Sequence, residues 1–187
     1  MENNIPVIEG DFAPISDQTL YSAYSSLFKR LRISYYVGMA IFAVAFGLLA
    51  VSSFIHGKTV SGIFYVVMGC VLELIYAKFV FRDIPKKINA GVAQTRKLHS
   101  GTEHYVYYSD RRVVTGTENT HTVRYEEIFK AQELKDCWVF YVGEENSWSL
   151  LIVAKESYTV PGHYEKALEL LLQYVPEKNI KPLIKSK

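Results

Sequence analysis

Two long apolar runs joined by a short turn constrain the fold of this chain more than any other feature. Residues 33–55 contain 23 residues without a charge, and residues 59–81 form a second run of 23. A helix rises 1.5 Å per residue, so each run would extend about 34 Å and could cross a hydrocarbon core about 30 Å thick. The rest of a 187-residue chain cannot cover two such helices. We therefore predict an antiparallel transmembrane hairpin with a turn at residues 56–58.

Basic residues flank this hairpin on the side opposite the turn. The six are Lys29, Arg30 and Arg32 before the first run, and Arg82, Lys86 and Lys87 after the second. Basic flanks remain in the cytoplasm, which predicts a multi-pass protein of the cell membrane with both termini cytoplasmic. The same six residues are candidate contacts for anionic lipid, each gaining about 1 kcal/mol near the surface. An ordinary topology signal is the alternative interpretation.

Composition divides the chain into three regions. Residues 1–32 comprise an acidic tail, either loosely held or a single edge strand, and an amphipathic helix over 18–32 with Ser16 or Asp17 as its cap. Residues 33–81 are the hairpin. Residues 82–187 have the composition of a soluble domain, and the two apolar runs explain why the mean hydropathy of the whole chain is slightly positive.

The soluble region alternates apolar and polar residues in short runs, which indicates β-strands. The predicted strand segments are 103–109, 111–116, 120–133 (two strands broken near residue 126), 136–142 and 147–154. After Pro161 the period changes, and residues 163–174 place one apolar face on a helix. We predict the α+β class: a small antiparallel barrel or sandwich capped by a C-terminal helix.

Four segments of this region carry a family resemblance. They are Tyr105–Asp110, Val123–Lys130, Cys137–Val142 and Leu150–Lys155. With the two apolar runs before them, these segments resemble the bacterial YcxB-like family. The resemblance implies two membrane helices followed by a cytoplasmic domain with a pleckstrin-homology-like fold. The family's Ile-Pro-Lys stretch is replaced here by Val153-Ala154-Lys155, and the shared motifs consist of core and turn residues, so they imply no activity.

The sequence lacks the common catalytic and nucleotide-binding motifs. There is no nucleotide-binding glycine loop, no nucleophile elbow and no metalloprotease helix. The net charge of +2 is too small to indicate nucleic acid, and the two cysteines, Cys70 and Cys137, do not indicate a disulfide framework. We expect no catalytic residue, no cofactor and no metal. The chain is predicted to be an interaction module that binds a protein partner or the membrane surface, with Arg111, Arg112 and Lys155 as the best candidate phosphate contacts of the strand region.

Glu73 is the most unusual residue of the apolar runs. It lies about 12 Å from the basic end of its helix, and acids at that depth are rare and face protein rather than lipid. It is either a structural or oligomer contact or a proton or ligand site, and the latter would suit a small transport or sensing subunit. Lys78 is about 140° away around the helix and is expected to extend towards the interface. Ala43 and Gly47 have a spacing that allows close helix approach, either to the second helix or to a second copy in a homodimer.

Overall fold

The computed structural model describes residues 5–98, 103–116, 120–144 and 146–183. The chain forms two compact units. One is Tyr24–Gly91, and the other combines the chain up to Ala23 with the chain from Val92 onward. This division differs from the composition boundaries at residues 32 and 82, because composition does not reveal that the N-terminal segment pairs with strands far along the chain.

The first unit consists of long helices, of which the first begins before it and the last ends after it. Helix α1 is Asp17–Ile55 and helix α2 is Thr59–Lys78, followed by a π-helical turn at Phe79–Asp83 and helix α3 at Ile84–Leu98. The amphipathic segment 18–32 and the first apolar run are thus one continuous helix of 39 residues. Both helical stretches are long and apolar enough to cross a membrane. Gly57 makes the turn between them at φ +71°, a conformation that glycine adopts without strain.

The two helices are antiparallel neighbours with interlocking aromatic and small residues. The ring of Tyr35 stacks on Phe79 with 4.4 Å between centroids. Nearer the turn, a Cβ added to Gly69 would lie 3.2 Å from Phe46 Cβ, so this glycine allows close approach. Half-buried residues of α2 recur every three or four positions along the side that faces α1. The predicted hairpin geometry is therefore present in the helix pair.

The second unit contains two four-stranded sheets. The first sheet has the order β1 (Ile8–Phe12), β2 (Glu103–Tyr107), β3 (Arg111–Thr115) and β4 (Thr120–Arg124). All its neighbours are antiparallel, and Ile8 lies opposite Tyr107. The N-terminal segment is therefore an edge strand, one of the two alternatives predicted for it.

The second sheet has the order β7, β6, β5, β8. Its strands are β5 (Ile128–Glu133), β6 (Cys137–Glu144), β7 (Ser147–Ala154) and β8 (Ile180–Lys181). Strand β8 is parallel to β5, with Ala131 opposite Ile180, and was not predicted from the sequence. The break within residues 120–133 is a 3₁₀ turn at Tyr125–Glu127, where the prediction placed it.

One apolar core lies between the two sheets. It takes Tyr105 and Tyr107 from β2 and Phe140 from β6. Helix α4 (His163–Leu172) adds Ala167 and Leu171, both fully buried, so this helix covers the core as predicted. The α+β class, with two long apolar helices and two sheets, is confirmed.

Candidate membrane interface and polar sites

The six flanking cations lie together at one end of the helix pair. The stacked rings of Tyr35 and Phe79 and the packing of Tyr24 against Gly91 mark two levels where α1 faces the returning helix. Between these levels lie all six residues that the sequence proposed as lipid contacts, here called the basic collar: Lys29, Arg30, Arg32, Arg82, Lys86 and Lys87. Helix pairing thus brings together two clusters that are about 50 residues apart in the sequence.

The charges of the basic collar are not neutralised by the part of the chain that the structure describes. None of the collar residues forms an ion pair there. Five of them are exposed, while Arg32 is half buried and its Nε has no acceptor among the described residues. Lys87 Nζ lies 5.9 Å from the ring centroid of Phe79, the first residue of the π-helical turn. Such a set of cations can bind anionic groups from outside the chain.

Glu73 is on the side of α2 that faces α1. The residue is half buried, and its Oε1 is buried with no hydrogen-bond partner in the described residues. Lys78 is exposed and forms no ion pair with Glu73 in the described chain, in agreement with the predicted angle between them. A buried carboxyl oxygen without a partner is costly, so it is a candidate for a proton, an ion or a group on another chain.

The small residues on α1 do not pack as one alternative predicted. Ala43 and Gly47 are both exposed in this helix pair, and nothing lies within 4 Å of a Cβ added to Gly47. The close approaches between the helices occur instead at two glycines of α2: a Cβ added to Gly62 would lie 2.6 Å from Phe54 of α1, and one added to Gly69 would lie 3.2 Å from Phe46. Small residues at this spacing allow close helix approach, but the spacing does not specify which neighbouring helix they contact. Contact with a second copy stays a prediction.

In the sheet unit, a cleft of about 540 Å³ surrounds the first turn of α1. Its lining residues are Ser16, Gln18, Thr19, Lys135, Asp136, Lys155, Glu156 and Tyr164. Glu156 Oε1 accepts a hydrogen bond of 2.8 Å from the backbone N–H of Ser16. Partial burial raises the pKa of Glu156, but hydrogen bonds from Ser16 and Thr19 lower it by more, so the pKa lies below its usual value of 4.5. Lysines and acids are balanced here, so the cleft has no preference for one charge.

Buried tyrosines surround a buried arginine in the same unit. Arg112 is 8% exposed and lies near Tyr107, Tyr125 and Tyr158. Burial raises the pKa of Tyr107, and although the Arg112 guanidinium and the hydrogen bond with Tyr158 lower it, the net shift is upward. Burial likewise raises the pKa of Tyr158 well above its usual value. These phenols stay protonated at neutral pH, and one of the Tyr107 and Tyr158 hydroxyls donates a hydrogen bond to the other.

Cysteines and metal-ligating side chains form no cluster in the part of the chain that the structure describes. The two cysteines are free, and burial raises the pKa of the Cys137 thiol to about 12, which keeps it in the unreactive form. In the described residues, no group of three or more His, Cys, Asp or Glu side chains is placed to hold a metal ion. Comparisons of the chain with protein-family models, with curated proteins and with solved structures found no match.

Proposed function

We propose that this chain is an integral membrane protein whose basic collar binds anionic phospholipid headgroups and whose sheet domain is an interaction module at the inner leaflet. The observation that carries the proposal is the collar itself, with six cations at one level of an apolar helix pair and no carboxylate of the described chain paired with them. Each cation near an anionic surface gains about 1 kcal/mol, so the set favours an anionic leaflet strongly.

Membrane insertion is supported by the exposure of the helices. Only 6% of the most apolar window of the first helix and 11% of that of the second are buried. The core helix of a soluble protein would be mostly covered by its own chain, whereas these surfaces require lipid or other helices. The collar lies at the end opposite the turn at Gly57, and this charge asymmetry favours cytoplasmic termini.

The order and packing of the sheet domain support a pleckstrin-homology-like module of the YcxB type. Two antiparallel layers enclose one core, and a C-terminal helix covers it. In this proposal the domain docks a protein partner close to the membrane, at an exposed sheet edge such as β4. Because the collar binds anionic headgroups, it would hold the domain at membranes that contain anionic lipid.

The lipid part of the proposal is tested with the full chain in nanodiscs. Thermal midpoints are compared in phosphatidylcholine alone and in phosphatidylcholine with phosphatidylglycerol, across a series of NaCl concentrations. We expect a higher midpoint with the anionic lipid, decreasing as salt screens the charges.

A matched pair of variants assigns this effect to the collar. The double variant Lys86→Gln, Lys87→Gln should lose much of the difference between the two lipids. The double variant Lys178→Gln, Lys181→Gln removes the same charge from exposed positions near the C-terminus and should retain it. Equal midpoints in both lipids at low salt would contradict lipid binding. Cross-linking in intact membranes would then be used to find the protein partner.

Glu73 supports a second candidate function, a small transport or sensing subunit in a homo-oligomer. The observation that favours it is the buried Oε1 without a partner among the described residues. If Glu73 is an oligomer contact, Glu73→Gln should change the oligomer size or the abundance in the membrane. If both are unchanged, the structural role fails and proton flux in proteoliposomes decides the transport role.

A further inference from the structure

Two adjacent arginines on β3 have opposite environments. Arg111 Nη1 donates to Asp110 at 3.0 Å, and its guanidinium lies 4.6 Å from the Tyr108 ring centroid. Arg112 points to the other face of the strand, as neighbouring residues must, and only 8% of its surface is exposed. Among the described residues, no carboxylate pairs with Arg112, and its Nε has no acceptor. The described chain therefore provides a carboxylate partner for Arg111 but none for Arg112.

Aromatic rings lie over the Arg112 guanidinium but do not satisfy its Nε–H, which has no acceptor among the described residues. The central carbon of the guanidinium lies 5.0 Å from the ring centroid of Phe12 and 5.6 Å from that of Tyr107. Cation–π contacts use the faces of the rings, so the in-plane N–H groups of the guanidinium still need acceptors.

The neighbouring hydroxyl groups already have partners. Tyr107 and Tyr158 share a hydrogen bond, Tyr125 donates to the Tyr108 carbonyl at 2.9 Å, and Tyr105 is hydrogen-bonded to His163. None of them accepts from the Arg112 Nε–H, so an acceptor for this group lies outside the described residues.

We propose that Arg112 anchors a binding site for a small molecule that carries a single carboxylate on an apolar body. A planar guanidinium matches a carboxylate with two parallel hydrogen bonds. The site contains one uncompensated cation, so a monovalent anion restores neutrality, whereas a dianion such as a phosphate monoester would leave a buried negative charge. The ring of Phe12 is partly exposed beside the guanidinium and can contact an apolar ligand body. This inference does not depend on the proposed function.

The test uses the full chain in an uncharged detergent at constant ionic strength. The thermal midpoint is measured as sodium benzoate is added, with benzamide as the neutral control of the same shape and inorganic phosphate, at a pH about one unit above its second pKa, as the dianionic control. We expect a saturable increase of the midpoint with benzoate and none with benzamide. No increase with benzoate, or an increase with phosphate instead, would overturn the carboxylate site.

Three variants assign the effect to the residue. Arg112→Met should lose the benzoate response and, without benzoate, unfold at or above the wild-type midpoint, because it removes an unpaired buried charge. Arg111→Met should retain the response. Arg112→Lys keeps the charge but loses the planar guanidinium, so it should respond to benzoate more weakly than wild type. If Arg112→Met does not fold, this variant replaces it in the test. A full benzoate response in Arg112→Met or Arg112→Lys would refute the assignment.

Discussion

At the scale of single residues, two glycines of the helix pair differ in what surrounds them. A Cβ added to Gly91 would lie 2.5 Å from Cε1 of Tyr24, whereas nothing lies within 4 Å of a Cβ at Gly47. We expect Gly91→Ala to lower the thermal midpoint, because overpacking costs about 1–3 kcal/mol and exceeds the gain of about 0.5–1 kcal/mol from replacing a helical glycine. Gly47→Ala should leave the midpoint unchanged or raise it. Thermal unfolding of both variants in the same nanodiscs is the measurement, and an equal effect at the two positions would contradict the packing.

Several unusual residues could be singled out from the sequence, but their environments could be predicted only in part. Glu73 and the six cations of the collar could be recognised because charges next to apolar runs are unusual wherever they occur. Arg112 was considered only together with Arg111, since the sequence does not specify which of two neighbours faces the core. That depends on the pairing of β3 with β2 and β4, where Arg112 lies opposite Tyr107 and Val123.

At the scale of elements, the start of α1 is stabilised by two side chains, those of Ser16 and Glu156. Ser16 Oγ accepts a hydrogen bond of 3.3 Å from the Thr19 backbone N–H, so Ser16 is the cap and Asp17 begins the helix. Glu156, about 140 residues away, accepts from the backbone N–H of Ser16. We expect Ser16→Ala to destabilise the folded chain by about 1 kcal/mol, measured by denaturant unfolding.

Glu156 should add a pH dependence to this cap. Its pKa is lower in the folded chain than its usual value of 4.5, so its contribution is complete above that pH and is lost as the pH falls through the lowered pKa. We therefore expect Glu156→Gln to unfold at a lower temperature than wild type at pH 7, with the difference vanishing on acidification. Glu165→Gln, which removes an exposed carboxylate 4.0 Å from Lys155, is the control and should have little effect at either pH. A difference for Glu156→Gln that persists in acid would disprove the linkage.

Elements with a regular period were predictable, and those that depend on distant pairing were not. The apolar runs, the alternating strands and the C-terminal helix follow from local periods of 3.6 and 2 residues. The two-residue strand β8 has no period to detect, and its parallel pairing with β5 is a long-range contact. The π-helical turn at Phe79–Asp83 also lies within a pattern that predicts ordinary helix.

At the scale of the whole molecule, the sheet domain is discontinuous in sequence. Strand β1 precedes the helix pair, and every other strand follows it. Ile8 of β1 is 5% exposed within the core cluster, and Phe12 packs against the same cluster. A fragment that begins after the hairpin therefore lacks one edge of its first sheet and part of its core.

This connectivity predicts how fragments of the protein behave. Residues 92–187 alone should be unstable or aggregate, because loss of β1 exposes β2 as an unpaired edge and uncovers Tyr105 and Tyr107. Residues 1–23 joined to residues 92–187 by a short Gly/Ser linker should fold, since Tyr24 packs against Gly91 and the two cut ends are therefore close. Trp138 and Trp148 provide the fluorescence signal for thermal unfolding of both fragments.

A third fragment tests whether β1 stabilises the domain through its buried side chain and not only by adding residues. Ile8→Ala in the joined fragment keeps every residue of β1 but removes its buried side chain, and it should cost about 2–5 kcal/mol. If the joined fragment and residues 92–187 unfold cooperatively at the same temperature, β1 is dispensable and the domain is the continuous segment that composition indicated. If only the joined fragment is stable and Ile8→Ala weakens it, the domain requires both ends of the hairpin.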